Sequence, residues 1–305
     1  DTDTLQRVGI GEVFAIAGQS NAQGGASNGF GATDDRVNSV DYSNDFSSYN
    51  KLPIGFSMLT DTSQLAPFNY VPWCWGKLGD LLVQKLNVPV LFYGAAHGGT
   101  SSTQWSGAAQ GIPFDGPSWV RQDLGAPYRA LENSIAYYGS LTGLRAVLWH
   151  QGESDHDQLA TTYYNNMVNV INKSRQNAEF NQLAWVIARA SINPDYHQNV
   201  IDGQNMLINN VANVFAGAYT DNYTGGTYRS DGIHLDTPAG ITAHANEWNT
   251  YLNTAFFTNS TPMQAVTLLD VTLACNATNP TQPITLSVPA VYNKIAWSNR
   301  QNTAA

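Results

Sequence analysis

Four short stretches of this chain hold side chains able to do chemistry together. In Val13-Phe14-Ala15-Ile16-Ala17-Gly18-Gln19-Ser20, five apolar residues lead through a glycine to a hydroxyl. A serine there can cap the next helix by accepting from its free backbone NH groups. It can also be a nucleophile, which requires a base, a group to orient that base, and donors for the oxyanion. Ser230-Asp231-Gly232-Ile233-His234-Leu235 offers the base, because Asp231 stands three residues before His234, close enough to orient an imidazole. A loop histidine with ordinary partners is the alternative. Donors have two sources. The glycines of Ala95-Ala96-His97-Gly98-Gly99-Thr100 let a backbone NH approach a reacting carbonyl. In Leu148-Trp149-His150-Gln151-Gly152-Glu153, Gln151 can aim its amide at the same point.

Acid–base chemistry at a metal needs a different arrangement. His150, Glu153, Asp155, His156 and Asp157 crowd together, but the spacing is not His-Glu-x-x-His, and side chains at a strand end scatter. No metal and no cofactor are expected.

These residues must be positioned by a recurrent frame. Apolar runs recur at Val13–Ala17, Val88–Tyr93, Leu144–Trp149, Leu183–Ala188 and Val214–Tyr219, each nearly continuous, as in strands covered on both faces. Helical spacing separates them: Leu78, Leu81, Leu82 and Leu86; Leu131, Ile135 and Tyr138; Tyr164, Met167, Val168 and Ile171; and, less regularly, Val200, Ile201, Ile208 and Val211. A last helix opens with Thr237 as cap and Pro238 in the first turn, and carries Ile241, Ala245, Trp248, Leu252 and Phe256 on one face. Alternating strands and helices predict a parallel sheet with helices on both faces. Sites in such folds lie at the carboxyl ends of the strands, where Ser20 falls.

Two segments stand outside this alternation. Asn28–Val71 is long, polar and rich in Gly, Ser, Asn and Asp, and reads as an ordered surface excursion beside the site. From residue 261 the chain turns β-like, with short runs broken by Pro280, Pro283 and Pro289. The expected division is therefore 1–260 and a β-rich tail, 261–305.

Composition narrows the partners. A formal net charge of -9 without a basic cluster argues against nucleic acid and anionic membrane surfaces. No run of about 18 apolar residues is present to span a membrane. With charged residues at 12% and 8 Trp and 15 Tyr, the surface suits a neutral partner such as carbohydrate. Two cysteines, Cys74 and Cys275, allow at most one disulfide. The opening Asp1-Thr2-Asp3, without methionine, is consistent with a removed signal peptide or a trimmed chain, and the expected location is secreted or periplasmic.

The motifs Gly-Gln-Ser-Asn, Gly-Gly-Thr-Ser-Ser-Thr-Gln-Trp, Trp-His-Gln-Gly-Glu-Ser-Asp and Ser-Asp-Gly-Ile-His-Leu, in this order at these strand ends, resemble the SGNH hydrolase superfamily. The closest likeness is to its carbohydrate acetylesterase and sialate O-acetylesterase-like branch, over roughly Glu12 to Phe257. The resemblance implies an α/β fold, a three-layer α/β/α sandwich with a five-stranded parallel, flavodoxin-like sheet. It implies Ser20 as nucleophile, His234 as general base and Asp231 as its orienting acid. The oxyanion hole would be the Ser20 NH, the Gly99 NH in preference to Gly98, and the Gln151 side chain. Glu153 would support the loops by accepting backbone NH bonds. Gln19 stands where the superfamily usually has aspartate and Gln151 where it usually has asparagine, both typical of this branch. The order Ser, Asp, His also occurs in α/β-hydrolases, but their elbow has glycine where this chain has Ala22.

The expected activity is removal of acetyl groups from an acetylated oligo- or polysaccharide such as acetylxylan, through an acyl-enzyme. One rival is a noncatalytic carbohydrate-binding protein with Trp73, Trp75, Trp105 and Trp119 as sugar platforms; another is an esterase of other short acyl chains. Cys275, Tyr292 and Trp297 give the tail a faint likeness to the start of an Ig-like module.

Overall fold

The computed structural model describes residues 9–25, 29–40, 49, 52–266 and the backbone of 274–275 and 286–287. The chain forms two compact units, Asp1–Ala265 and Val266–Ala305. The boundary falls later than residue 260 because Leu144 and Met263 exchange both backbone hydrogen bonds at 2.9 Å, tying the segment after the last helix into the first unit.

The first unit holds seven strands: β1 (Glu12–Gly18), β2 (Val37–Val40), β3 (Phe56–Met58), β4 (Val90–Gly94), β5 (Ala146–His150), β6 (Ala184–Arg189) and β7 (Val214–Tyr219). They lie in the order β3-β2-β4-β1-β5-β6-β7. The five strands foreseen from the apolar runs keep the flavodoxin-like order, with β1 between β4 and β5 and all parallel. The two additional strands come from the Asn28–Val71 excursion. β2 runs parallel to β4, and β3 antiparallel to β2 closes that edge. The excursion is thus partly core, with Val37, Val40, Leu59 and Leu65 fully buried. Its strands are too short and too interrupted by Asn and Ser to show a periodic signal.

Helices cover both faces. They are α1 (Ser20–Gln23), α2 (Trp75–Leu86), α3 (Ser102–Gln110), α4 (Tyr128–Asn133), α5 (Gly139–Thr142), α6 (Ala160–Ala178), α7 (Gln198–Asn210), α8 (Pro238–Tyr251) and α9 (Thr254–Asn259). A π-turn over Ser134–Tyr138 joins α4 to α5. Side-chain alternation along each strand divides the interior into two cores. Ala15, Ala17, Val147, Trp149, Trp185 and Ile187 face α3, α6 and α7. Phe14, Ile16, Leu148, Val186 and Ala188 face α2 and α8.

Thr237 caps α8 as expected, its Oγ1 accepting the Gly240 amide at 2.9 Å, with Pro238 as the first residue. The predicted single helix to Phe256 is interrupted at Leu252–Asn253, where the Asn253 side chain accepts the Phe256 amide and starts α9.

The second unit contributes a two-stranded antiparallel pair, β8 (Ala274–Cys275) with β9 (Leu286–Ser287). The features that suggested an Ig-like module, Tyr292 and Trp297, lie outside the described residues, as does the Cys275 side chain. Cys74 is buried and carries a free thiol. No described helix is long and apolar enough to cross a membrane.

Candidate active site

Ser20 leaves the central strand at its carboxyl end. Gly18 makes the exit: its φ is 122°, and a Cβ there would lie 2.0 Å from the His150 carbonyl oxygen of neighbouring β5. Gln19 holds the N-cap position of α1 with no side-chain capping bond, so Ser20, the first helical residue, is not the cap. Its Oγ is 2.8 Å from His234 Nε2 instead.

The loop before α8 supplies that histidine. His234 Nδ1 lies 2.5 Å from Asp231 Oδ2, while Asp231 Oδ1 accepts the Ile233 and His234 amides, each at 2.8 Å. Burial raises the Asp231 carboxyl, but the bonds from His234 and these amides outweigh it and hold the group at about 2. Asp231 is therefore a carboxylate throughout the neutral range, facing the imidazole nitrogen remote from Ser20.

Residues the sequence motifs left without a role fix this loop. Asn21 Nδ2 donates to the Ile233 carbonyl at 3.2 Å and to Glu153 Oε1 at 2.7 Å, and its Oδ1 accepts the Leu235 amide at 3.0 Å. Arg229, almost fully buried, donates to the carbonyls of Ile233, Thr220 and Tyr223. Glu153 differs from its expected role, since its carboxylate accepts no backbone NH among the described residues. It bonds Asn21 and, at 2.9 Å, His150 Nε2. His150 Nδ1 in turn lies 3.0 Å from His244 Nε2, which also accepts Trp248 Nε1–H. His150 thus bridges the Glu153 carboxylate and the His244 ring inside the protein. Burial raises Glu153, but the charge and hydrogen bond of His150, the charge of Arg229 and the Asn21 bond bring it to about 2.

The donors divide differently from expectation. The Gly98 NH is engaged by Gln23 Oε1 at 2.7 Å. The Ser20 and Gly99 amides donate to no other described group. Gln151, by contrast, is engaged within the protein. It is fully buried, and its Nε2 meets three acceptors, Thr100 O at 2.6 Å, Asp155 Oδ2 at 2.7 Å and Gln19 Oε1 at 2.8 Å. Its two N–H hydrogens are thereby taken up within the protein. The Gln19 Oε1 atom also receives the Gly152 and Ser154 amides, so this amide pair sutures the loops after β1 and β5.

The acidic and histidine side chains that crowd after β5 diverge. Asp155 Oδ1 accepts the Ser102 amide at 2.7 Å at the start of α3, and His156 pairs with Asp157. Among the described residues no three groups converge as metal ligands.

A cleft of about 430 Å³ opens over Ser20 and His234, and its lining includes Gln23, Tyr70, Gly99, Trp119, Asn193 and Ile233. Of the four tryptophans considered as platforms, Trp73, Trp75 and Trp105 are fully buried core residues, while Trp119 is 60% exposed.

Residues 78–250 match the model of a carbohydrate esterase family described as sialic acid-specific acetylesterase. The chain belongs to this family of carbohydrate esterases. The matched span of the esterase includes Gly99, Gln151, Glu153, Asp231 and His234 and begins after Ser20. Its fold is similar to that of a protein from Arabidopsis thaliana, at 17% identity and a TM-score of 0.51, covering 81% of this chain and 98% of that one. It is also similar to a carbohydrate acetylesterase from Xanthomonas citri, at 12% identity and a TM-score of 0.54, covering 92% of this chain and 62% of that one. No curated protein sequence matches the esterase.

Proposed function

We propose that this carbohydrate esterase removes O-acetyl groups from an acetylated oligo- or polysaccharide, such as acetylxylan, by way of an acetyl-enzyme. The observation that carries the reading is the continuous relay from Ser20 Oγ to His234 Nε2 at 2.8 Å and from His234 Nδ1 to Asp231 Oδ2 at 2.5 Å.

In this reading His234 takes the Ser20 proton as Oγ attacks the acetyl carbonyl, and Asp231 stabilises the imidazolium that forms. The carbonyl oxygen becomes an oxyanion facing the unengaged Ser20 and Gly99 amides, with Gln151 holding the walls rather than the charge. His234 then gives its proton to the departing sugar oxygen. Water attacks the acetyl-enzyme with His234 again as base, releasing acetate and restoring Ser20. A methyl group needs little room, so most of the cleft is left for the alcohol.

Stopped-flow hydrolysis of 4-nitrophenyl acetate tests the mechanism. The wild type should give a burst of nitrophenol stoichiometric with enzyme, and Ser20→Ala should give none. Equal slow rates for both proteins would exclude Ser20 as nucleophile.

A further inference from the structure

Two residues beside the oxyanion peptide are unused by acyl transfer. Gln23 is 2% exposed, and its amide is fixed at one end only. Its Oε1 accepts the Gly98 amide at 2.7 Å, whereas its Nε2 is buried with no protein partner. A buried donor without a protein acceptor is unfavourable and points to an oxygen that arrives with a ligand. Gln23 is also a wall residue of the cleft over Ser20.

Trp119 stands on the next residue. Its Cζ2 and Nε1 lie 3.3 and 3.6 Å from the position a Gly99 Cβ would occupy, so this end of the indole rests on the Gly99 peptide. The side chain is nevertheless 60% exposed and belongs to the cleft wall. A rigid aromatic surface left in solvent beside a reaction centre is suited to a flat apolar partner.

A pyranose ring offers that combination, with C–H groups on a face and oxygens around its edge. The geometry is close enough to serve a sugar joined to the acetyl group. A Cβ built on Gly98, whose amide Gln23 engages, would lie 3.5 Å from Ser20 Cβ, and Trp119 packs on the adjacent glycine.

We propose that Trp119 and Gln23 form the glycosyl subsite that selects acetylated sugars over simple acetate esters, the indole stacking on a pyranose ring and Gln23 Nε2 donating to one of its oxygens. This rests on the reading of the protein as a carbohydrate acetylesterase.

The test compares kcat/KM for an acetylated glycan with kcat/KM for 4-nitrophenyl acetate, in wild type, Trp119→Ala, Trp119→Phe and Gln23→Glu. The glycan is whichever of acetylated xylo-oligosaccharide and O-acetylated sialic acid the wild type hydrolyses faster. Gln23→Glu keeps an acceptor for Gly98 and removes the donor. The glycan-to-simple-ester ratio should fall at least about tenfold in Trp119→Ala, through KM, with partial recovery in Trp119→Phe and a smaller fall in Gln23→Glu. A ratio within about twofold of wild type in a folded Trp119→Ala overturns the subsite, as does a changed preference between acetyl and butyryl esters with the glycan ratio intact. A wild type that shows the acetyl burst but hydrolyses neither glycan refutes the acetyl-sugar reading itself, and the subsite with it.

Discussion

Asn21 bonds the main chain on both sides of His234, donating to the Ile233 carbonyl at 3.2 Å and accepting the Leu235 amide at 3.0 Å. The residue after the proposed nucleophile thereby sets the position of the proposed base. Asn21→Ala should lower kcat about tenfold to a hundredfold with little change in KM, because a displaced imidazole loses its alignment with Ser20. Steady-state kinetics on 4-nitrophenyl acetate check this, and an unchanged kcat would show that Arg229 alone holds the loop.

Asp231→Asn removes the carboxylate that faces His234 Nδ1 while keeping its shape. The rate should fall roughly 10³–10⁴-fold, since the amide can no longer stabilise an imidazolium. A loss under about tenfold would move the orienting role elsewhere.

Gly99 has a φ of 70°, and a Cβ would press on Trp119 at 3.3 Å. Gly99→Ala should therefore cost about 1–2 kcal/mol of stability. It should also lower kcat more than about tenfold as the donor amide shifts. Urea denaturation and kinetics on the same sample separate the two effects.

His150 is the buried partner of Glu153 at 2.9 Å. His150→Leu removes one hydrogen-bond partner from the fully enclosed Glu153 side chain, which should cost about 1–3 kcal/mol. A urea midpoint near that of wild type at pH 7 would show that Asn21 and Arg229 suffice to hold Glu153.

Asp155 and Glu153 pull stability in opposite directions with pH. Burial raises Asp155 from 3.8 to about 6 against its hydrogen bonds, so the folded protein binds a proton there before the unfolded chain does. That contribution is complete below 3.8 and lost as pH rises through about 6. Glu153, held at about 2 against 4.5, contributes above 4.5 and loses the contribution as pH falls through about 2. Wild type should gain about 2 kcal/mol relative to Asp155→Asn between pH 7 and pH 4.5. A constant difference across that range would mean that Asp155 titrates normally.

What the sequence made legible was the chemistry carried by residue type and the order of the parallel strands. Ser20, Asp231 and His234 stand in a relay because a strand end and a strand-to-helix loop at one sheet edge must meet. The amides were harder to read. Asn21, Gln19 and Gln23 each act on groups 75 or more positions away, and an amide's role depends on which acceptors surround it. Gln151 shows the converse, since its place in the motif promised a donor to substrate, whereas three buried acceptors take up its hydrogens. Strands β2 and β3 were hidden because both are short, β2 being buried beside β4 and β3 an exposed to half-buried edge paired only with β2.

Ser20 and His234 are 214 positions apart, one following β1 and the other β7. On the proposed mechanism, a chain emerging from the ribosome presents its serine early yet remains inert until the last strand has joined the sheet and its loop has closed on Asn21. Hydrolytic activity then reports completed folding of the whole layer, and the first sugar ester is cut only by a finished molecule.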